Sequence, residues 1–132
     1  MGITTDGIKG EQLLFKLLHK KGYYFFQPDA IGLKNDSFFV FEAKLKARFK
    51  APPFDGHGLD KRQVKARINF EVKTGIKSVL VVFDKETNEI FLQDIKKLEE
   101  GKYFDTRNYI RIYPIESFEK VGEFESRGRT HG

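Results

Sequence analysis

The chain has 132 residues, 39% hydrophobic and 33% charged. That is enough for one globular domain and too apolar for a disordered one. Lys and Arg exceed Asp and Glu by 24 to 19, for a net charge of +5, an excess compatible with a polyanionic partner but no proof of one. There is no Cys, which excludes a disulfide framework, thiolate chemistry and Cys-ligated zinc. The lack of Cys fits a reducing, cytoplasmic setting. No apolar run has membrane-spanning length, and the N-terminus lacks the apolar segment of a signal peptide, so no membrane partner is expected.

In chain order, residues 1–7 form a lead-in in which Thr5 or Asp6 is available as an N-cap. Ile8–Lys21 reads as an amphipathic helix with Ile8, Leu14, Phe15 and Leu18 on its apolar stripe and Gly22 as its stop. Tyr23–Gln27 reads as a short aromatic strand that weakens at Pro28. Ile31–Asp36 leads into a strand over Phe38–Lys46. Arg48–Gly58, with two Pro and two Gly, reads as a loop that carries His57. Leu59–Thr74 reads as a second helix, with Asp60 near its start and Gly75 past its end. Ser78–Phe83 is a continuous apolar run suited to a strand buried on both faces, and Glu89–Leu92 is its return. Asp94–Glu100 fits a short capped helix, and Tyr109–Tyr113 a final strand. The expectation is one domain over 1–132, with 122–132 a flexible tail. Its architecture is α/β: a mixed sheet flanked by helices in the order α-β-β-β-α-β-β.

The strand over 38–46 carries the chemical signal. Side chains alternate along a strand, so Phe38, Val40, Glu42, Lys44 and Lys46 share one face. An acid and a base therefore stand side by side on a face that begins in a core. Burying a charge is costly unless it is paired or binds a metal. Glu11 falls inside an apolar helical stripe, and Asp29 follows Pro28 at a strand end. Three such acids within the first 44 residues suggest convergence on one site. Carboxylates that repel one another are tolerated around a divalent cation. Mg²⁺ suits hard oxygen ligands and substrate phosphates, with Mn²⁺ as a substitute.

Pro28-Asp29 followed by Glu42-Ala43-Lys44, with Glu11 on an upstream helix and a basic helix after the motif strand, resembles the PD-(D/E)xK nuclease superfamily. The resemblance spans roughly residues 5–92. Within that superfamily the chain looks most like archaeal-type Holliday junction resolvases, or small phage and viral nucleases of the same fold. The resemblance implies a restriction-endonuclease-like core and a Mg²⁺-dependent endodeoxyribonuclease acting on branched DNA. It also implies a homodimer, since two symmetric cuts need two sites related by a two-fold axis. Asp29, Glu42 and the Ala43 carbonyl would hold the metal, helped by Glu11. Lys44 would position or deprotonate water, or hold phosphate. Gln63 would orient water or phosphate. Lys46, Arg48, Lys50, Lys61, Arg62, Lys65 and Arg67 would contact backbone phosphates without reading sequence. The Pro- and Gly-rich stretch Phe49–Gly58 departs from the resolvase pattern as a loop where a strand is expected.

The same residues admit other readings. Glu42 and Lys44 also fit a pair on a solvated sheet face, Glu11 a shifted helix phase, and Asp29 turn chemistry. Single-stranded, flap or nicked duplex DNA is an alternative substrate. A DNA-binding module whose acids are structural is an alternative of another class.

Overall fold

The computed structural model describes residues 5–23 and 25–125, with the side chains of residues 5–8 and 51 outside that description. Helix α1 spans Thr5–Lys20 and ends at Gly22, whose φ of 83° suits a residue without Cβ. The expected N-caps Thr5 and Asp6, and Ile8 of the expected stripe, have side chains outside the description. Of the rest of that stripe, Leu14 is exposed and only Phe15 and Leu18 are half-buried. Phe15 stacks on Phe25 at 5.2 Å. Residues 25–28 belong to no strand, contrary to the expectation for 23–27. Tyr24 of that stretch lies outside the described residues.

Strands β1 (Ala30–Lys34) and β2 (Ser37–Lys46) form a hairpin. Its turn residues, Asn35 and Asp36, take φ of 51° and 65°. Asn and Asp tolerate this left-handed conformation best among residues with a side chain, and two-residue hairpins require it. The chain then departs from expectation. Phe49–Ala51 and Phe54–Asp60 are strands β3 and β4, paired as a second hairpin around Pro52 and Pro53. The stretch is therefore not a loop, and His57 is buried within β4.

Helix α2 covers Lys61–Thr74. The Asp60 side chain accepts from the Arg62 N–H, which holds its carboxyl below the ordinary value. Gly75 closes the helix at φ 77°. Strand β5 (Lys77–Asp84) lies parallel to β2, with Glu42 opposite Leu80 and Lys44 opposite Val82. Strand β6 (Glu89–Asp94) returns antiparallel, and Asp94 caps the short helix α3 (Ile95–Glu99). After β7 (Phe104–Asp105) and β8 (Ile110–Pro114) comes a 3-10 turn over Ile115–Ser117. Strand β9 (Glu119–Glu123) follows and pairs with β6. Thus β8 is not the last strand, and the first two residues of the expected tail belong to a sheet. Residues 126–132 of that tail lie outside the described residues.

The architecture is mixed α/β, with two sheets rather than one. One sheet runs β1-β2-β5-β6-β9 and the other β3-β4-β8-β7. The chain alternates between them, so neither sheet is contiguous in sequence. They share one core with α2 and α3, built from Leu59, Val64, Leu80, Val82, Phe91, Ile95, Leu98, Tyr113 and Phe118. The alternation of β2 sends Val40 and Glu42 into this side. Leu45, on the opposite face, is exposed, as are Ile31 and Leu33 of β1.

Candidate functional site

Strand β1 stops short of the end of its partner. The ladder pairs Ala30 with Phe41, so extending its register sets Asp29 opposite Glu42. Two bonds hold Asp29 there. Its N–H donates to Phe41 O at 3.0 Å, and its Oδ2 accepts from the Ala43 N–H at 2.7 Å. The carboxylate thereby supplies the acceptor that β1 no longer provides, and it grips the backbone on both sides of Glu42.

Glu42 is only 8% exposed and Arg67, reaching down from α2, 7%. Arg67 Nε donates to Glu42 Oε1 at 3.1 Å, and the guanidinium lies 4.0 Å from the centre of the Phe26 ring. The pair satisfies the demand that a buried charge be matched. Arg67 was expected to contact DNA phosphate. Its burial removes it from that role and makes it the counter-ion of Glu42 instead. Glu42 Oε2 carries no bond to a described residue, and no described side-chain polar atom is both buried and unpaired. That oxygen is therefore open to solvent.

Two bonds give the direction of α2 over the sheet. Glu71 Oε1 accepts from Ser78 N–H, opposite Val40, while Arg67 meets Glu42. Gln63, one further turn toward the helix start, is half-buried. Lys44 is half-buried, and among the described residues it has no hydrogen bond or ion pair.

The expected convergence of three acids is not what the structure presents. Asp29, Glu42 and Ala43 come together, but Glu11 is exposed on α1, its Oε2 accepting from Gln27 Nε2 at 3.4 Å. Among the described residues no group of three His, Asp or Glu is arranged to hold a metal. Two carboxylates and the Ala43 carbonyl remain a hard-oxygen donor set. This suits Mg²⁺, which commonly takes one or two protein carboxylates and keeps its waters.

The expected phosphate contacts divide by environment. Lys46 and Lys65 are exposed and unpaired among the described residues. Arg62 is exposed and reaches back to Asp60 at 3.5 Å. Lys50 is exposed and pairs with Glu86, and Lys61 meets Asp105 at 3.5 Å. Arg48 is committed to Asp84 at 3.0 Å and Glu89 at 3.4 Å.

A second polar centre lies past the end of β2, and nothing in the charge pattern announced it. Asp84, with no exposed surface, accepts from His57 Nε2 at 2.9 Å and from Arg48 Nε on Oδ2. Its Oδ1 accepts from the N–H groups of Glu86 and Thr87. Burial by itself pushes this carboxyl up. The hydrogen bonds, from His57 first, outweigh it and hold the group below its ordinary value.

No family model and no curated protein matches the chain. Among solved structures, it is similar to Hjc, a Holliday junction resolvase from the archaeal hyperthermophile Archaeoglobus fulgidus. The identity is 14% and the TM-score 0.49, over 86% of this chain and 95% of that one.

Proposed function

We propose that this chain is a metal-dependent endonuclease that hydrolyses phosphodiester bonds in branched or otherwise structured DNA. The observation that carries the reading is the grip of Asp29 on both sides of Glu42, with Lys44, unpaired among the described residues, two residues on along the same face. Asp29, Glu42 Oε2 and the Ala43 carbonyl would hold a Mg²⁺ ion. When bound, the ion lowers the pKa of a coordinated water and offsets charge on the scissile phosphate. Lys44 holds the phosphate as a point charge or takes the water's proton, as its lack of partners among the described residues allows. Gln63, one helical turn before Arg67, orients the same water or phosphate by hydrogen bonding. Lys46, Lys65 and Arg62 fix the register of the nucleic acid through its phosphates. In this reading Arg67 is a positioning residue, since it aims the Glu42 carboxylate.

The chain acts as a homodimer in this reading, which two symmetric cuts would require. The exposed apolar side chains of β1 and α1, Ile31, Leu33, Leu13 and Leu17, support a face that a second copy covers. Sedimentation that gives only the monomer mass at micromolar concentration would rule this out.

One observation favours a second reading. Glu42 already has a counter-ion in Arg67 and does not need a metal, as expected of a DNA-binding module with structural acids. The two are separated by one panel. A four-way junction, flap, nicked duplex, duplex and single strand are incubated with Mg²⁺ or chelator, beside Glu42→Ala. Cleavage that needs the metal and is lost in the variant, with DNA binding retained, supports the nuclease. Tight binding without cleavage of any substrate supports the module.

A further inference from the structure

The β7–β8 hairpin turns through Arg107, Asn108 and Tyr109, and its geometry does not favour the last of these. Thr106 N–H donates to Ile110 O at 2.9 Å, and Tyr109 N–H donates to Thr106 O at 3.0 Å. This is a three-residue loop whose last position is left-handed, a place that glycine ordinarily fills. Tyr109 fills it, at φ 63°. The other described residues that hold a side chain at positive φ are Asn35, Asp36 and Asn88. Asn and Asp tolerate that conformation; a bulky aromatic is strained by it. Packing does not account for the choice. Tyr109 is 66% exposed, and among the described residues its side chain makes no ring contact, hydrogen bond or ion pair. What is fixed is the backbone. The Tyr109 carbonyl accepts from the Lys61 N–H at 2.8 Å, which ties the hairpin to the first residue of α2, and Ile110 N–H donates to Thr106 Oγ1 at 3.2 Å. A strained backbone that holds a solvent-facing ring calls for a use outside the fold.

Tyr109 stands among cations, at the same end of the molecule as the candidate site. A cleft of about 340 Å³ is lined by Tyr109, Lys61 and Arg62. The Lys61 ammonium is engaged by Asp105 at 3.5 Å, whereas the Arg62 side chain is 89% exposed. Arg107, in the same turn as Tyr109, is exposed and has no partner among the described residues. Two connections place this group. Asn108, next to Tyr109 in the chain, shares a second cleft with Lys46, which follows Lys44 by two residues on its strand face. Arg62 directly precedes Gln63, and the helix from Lys61 to Arg67 rises about 9 Å. It there reaches the residue that meets Glu42.

An unpartnered aromatic ring, with open guanidinium groups from its own turn and from the adjoining helix, suits a flat ligand joined to anions. We propose that Tyr109 is the stacking platform for an uncovered base of the DNA substrate, with Arg62 and Arg107 meeting the phosphates beside it. The inference rests on the nucleic-acid reading above and names the source of its selectivity. Inside a duplex each base is covered by its neighbours. A single ring therefore stacks only where a base is bare: at a branch, at a flap or in a single strand. Selection of structured DNA then comes from one exposed ring rather than from base-edge contacts. It tolerates sequence, because every base has a π-face. Glycine at this position would relax the turn and leave nothing to stack.

The test is fluorescence anisotropy of the whole chain in chelator, with a labelled oligothymidylate and a long blunt duplex, whose bases are covered everywhere but at its two ends. Tyr109→Gly should fold, and its melting temperature should equal or exceed that of the wild type, since the turn is relieved and no packing is lost. It should bind the single strand at least about fivefold more weakly, the lower bound for one stacked base, and leave the duplex unchanged. Tyr109→Phe keeps the ring and should bind both DNAs like the wild type. Arg62→Ala should weaken both alike, as loss of a phosphate contact does. The proposal is overturned if Tyr109→Gly binds the single strand as the wild type does, if it weakens both DNAs equally, or if Tyr109→Phe fails as the Gly variant does. A Tyr109→Gly variant that melts several degrees lower overturns it by giving the ring a structural role. One that changes sedimentation mass overturns it by assigning the ring to a contact between copies. No bond is cut in this assay, so these results leave the nuclease reading standing. A chain that shows the Tyr109 dependence yet cleaves no DNA refutes the nuclease reading and keeps the platform.

Discussion

Replacing Arg67 with Met tests the reading of Glu42 at its root. The side chain loses its charge but keeps most of its length, so the change in packing stays small. What is lost is the 3.1 Å bond to Glu42 and the contact over Phe26. Glu42, at 8% exposure, would then hold an unmatched charge next to apolar neighbours. Breaking a buried pair from one side costs about 3–5 kcal/mol. The bond is a single one rather than bidentate, and Glu42 Oε2 still meets solvent, so the expectation is at the lower end, about 3 kcal/mol. In urea this lowers the unfolding midpoint by about 1–2 M. The cycle closes with Glu42→Leu and the double variant. Removing both charges should recover most of the loss, because a well-packed apolar pair stands in for a buried ionic one with little penalty. A loss under about 1 kcal/mol for Arg67→Met, or a double variant no more stable than that single one, would refute the pairing as a structural necessity.

Three further outcomes follow from the same contacts. Asp84→Asn should destabilise the chain by about 2–3 kcal/mol at neutral pH by removing the buried charge that His57 and Arg48 meet, leaving Arg48 only Glu89. The folded-state value of Asp84 is depressed, so its stabilisation is complete above the unfolded value of about 3.9 and is lost as pH falls through the lower folded value. The gap between variant and wild type in urea melts should therefore close in acid, and a gap constant across that range would contradict the assignment. Gly58→Ala should cost about 3 kcal/mol or more, read by thermal unfolding, because the new Cβ would stand 1.7 Å from the Arg111 carbonyl oxygen. A melt within a degree or two of wild type would show that β4 and β8 separate freely. Lys44→Ala should reduce the rate of any Mg²⁺-dependent cleavage by about a hundredfold or more with little change in melting, since the ammonium has no partner to lose among the described residues. Equal loss of stability and activity would mark it as structural.

What the sequence revealed depended on whether a residue's role was local. The caps of α2 and α3, the apolar run of β5 and the turn at Asn35-Asp36 are local devices, and each reads from neighbours in the chain. The second sheet was hidden because β4 contradicts its composition. Gly56 and Gly58 look like loop residues, yet they are where β4 passes too close to β8 for any side chain. Strand β9 was lost in a polar, Gly-containing stretch whose partner β6 is some thirty residues away. At the candidate site, Asp29, Glu42 and Lys44 were legible as acids and a base in unusual places. Arg67 was not, since charge alone cannot say whether an arginine faces solvent or a buried carboxylate. Glu11 shows the converse. Its position in the helical pattern suggested a fourth partner, and the helix carries it to Gln27 instead.

The alternation of the chain between the two sheets has a mechanical consequence. Strand β2 leads directly into β3, β4 into α2 and β5, and β8 into β9, so the sheets are sewn together at each passage. No single hinge could let one swing against the other without unpicking several crossings. The Glu42–Arg67 pair and the Asp84–His57 pair each fasten an element of one sheet to an element packed against it. Their spacing is thus set when the chain folds, before any ligand arrives.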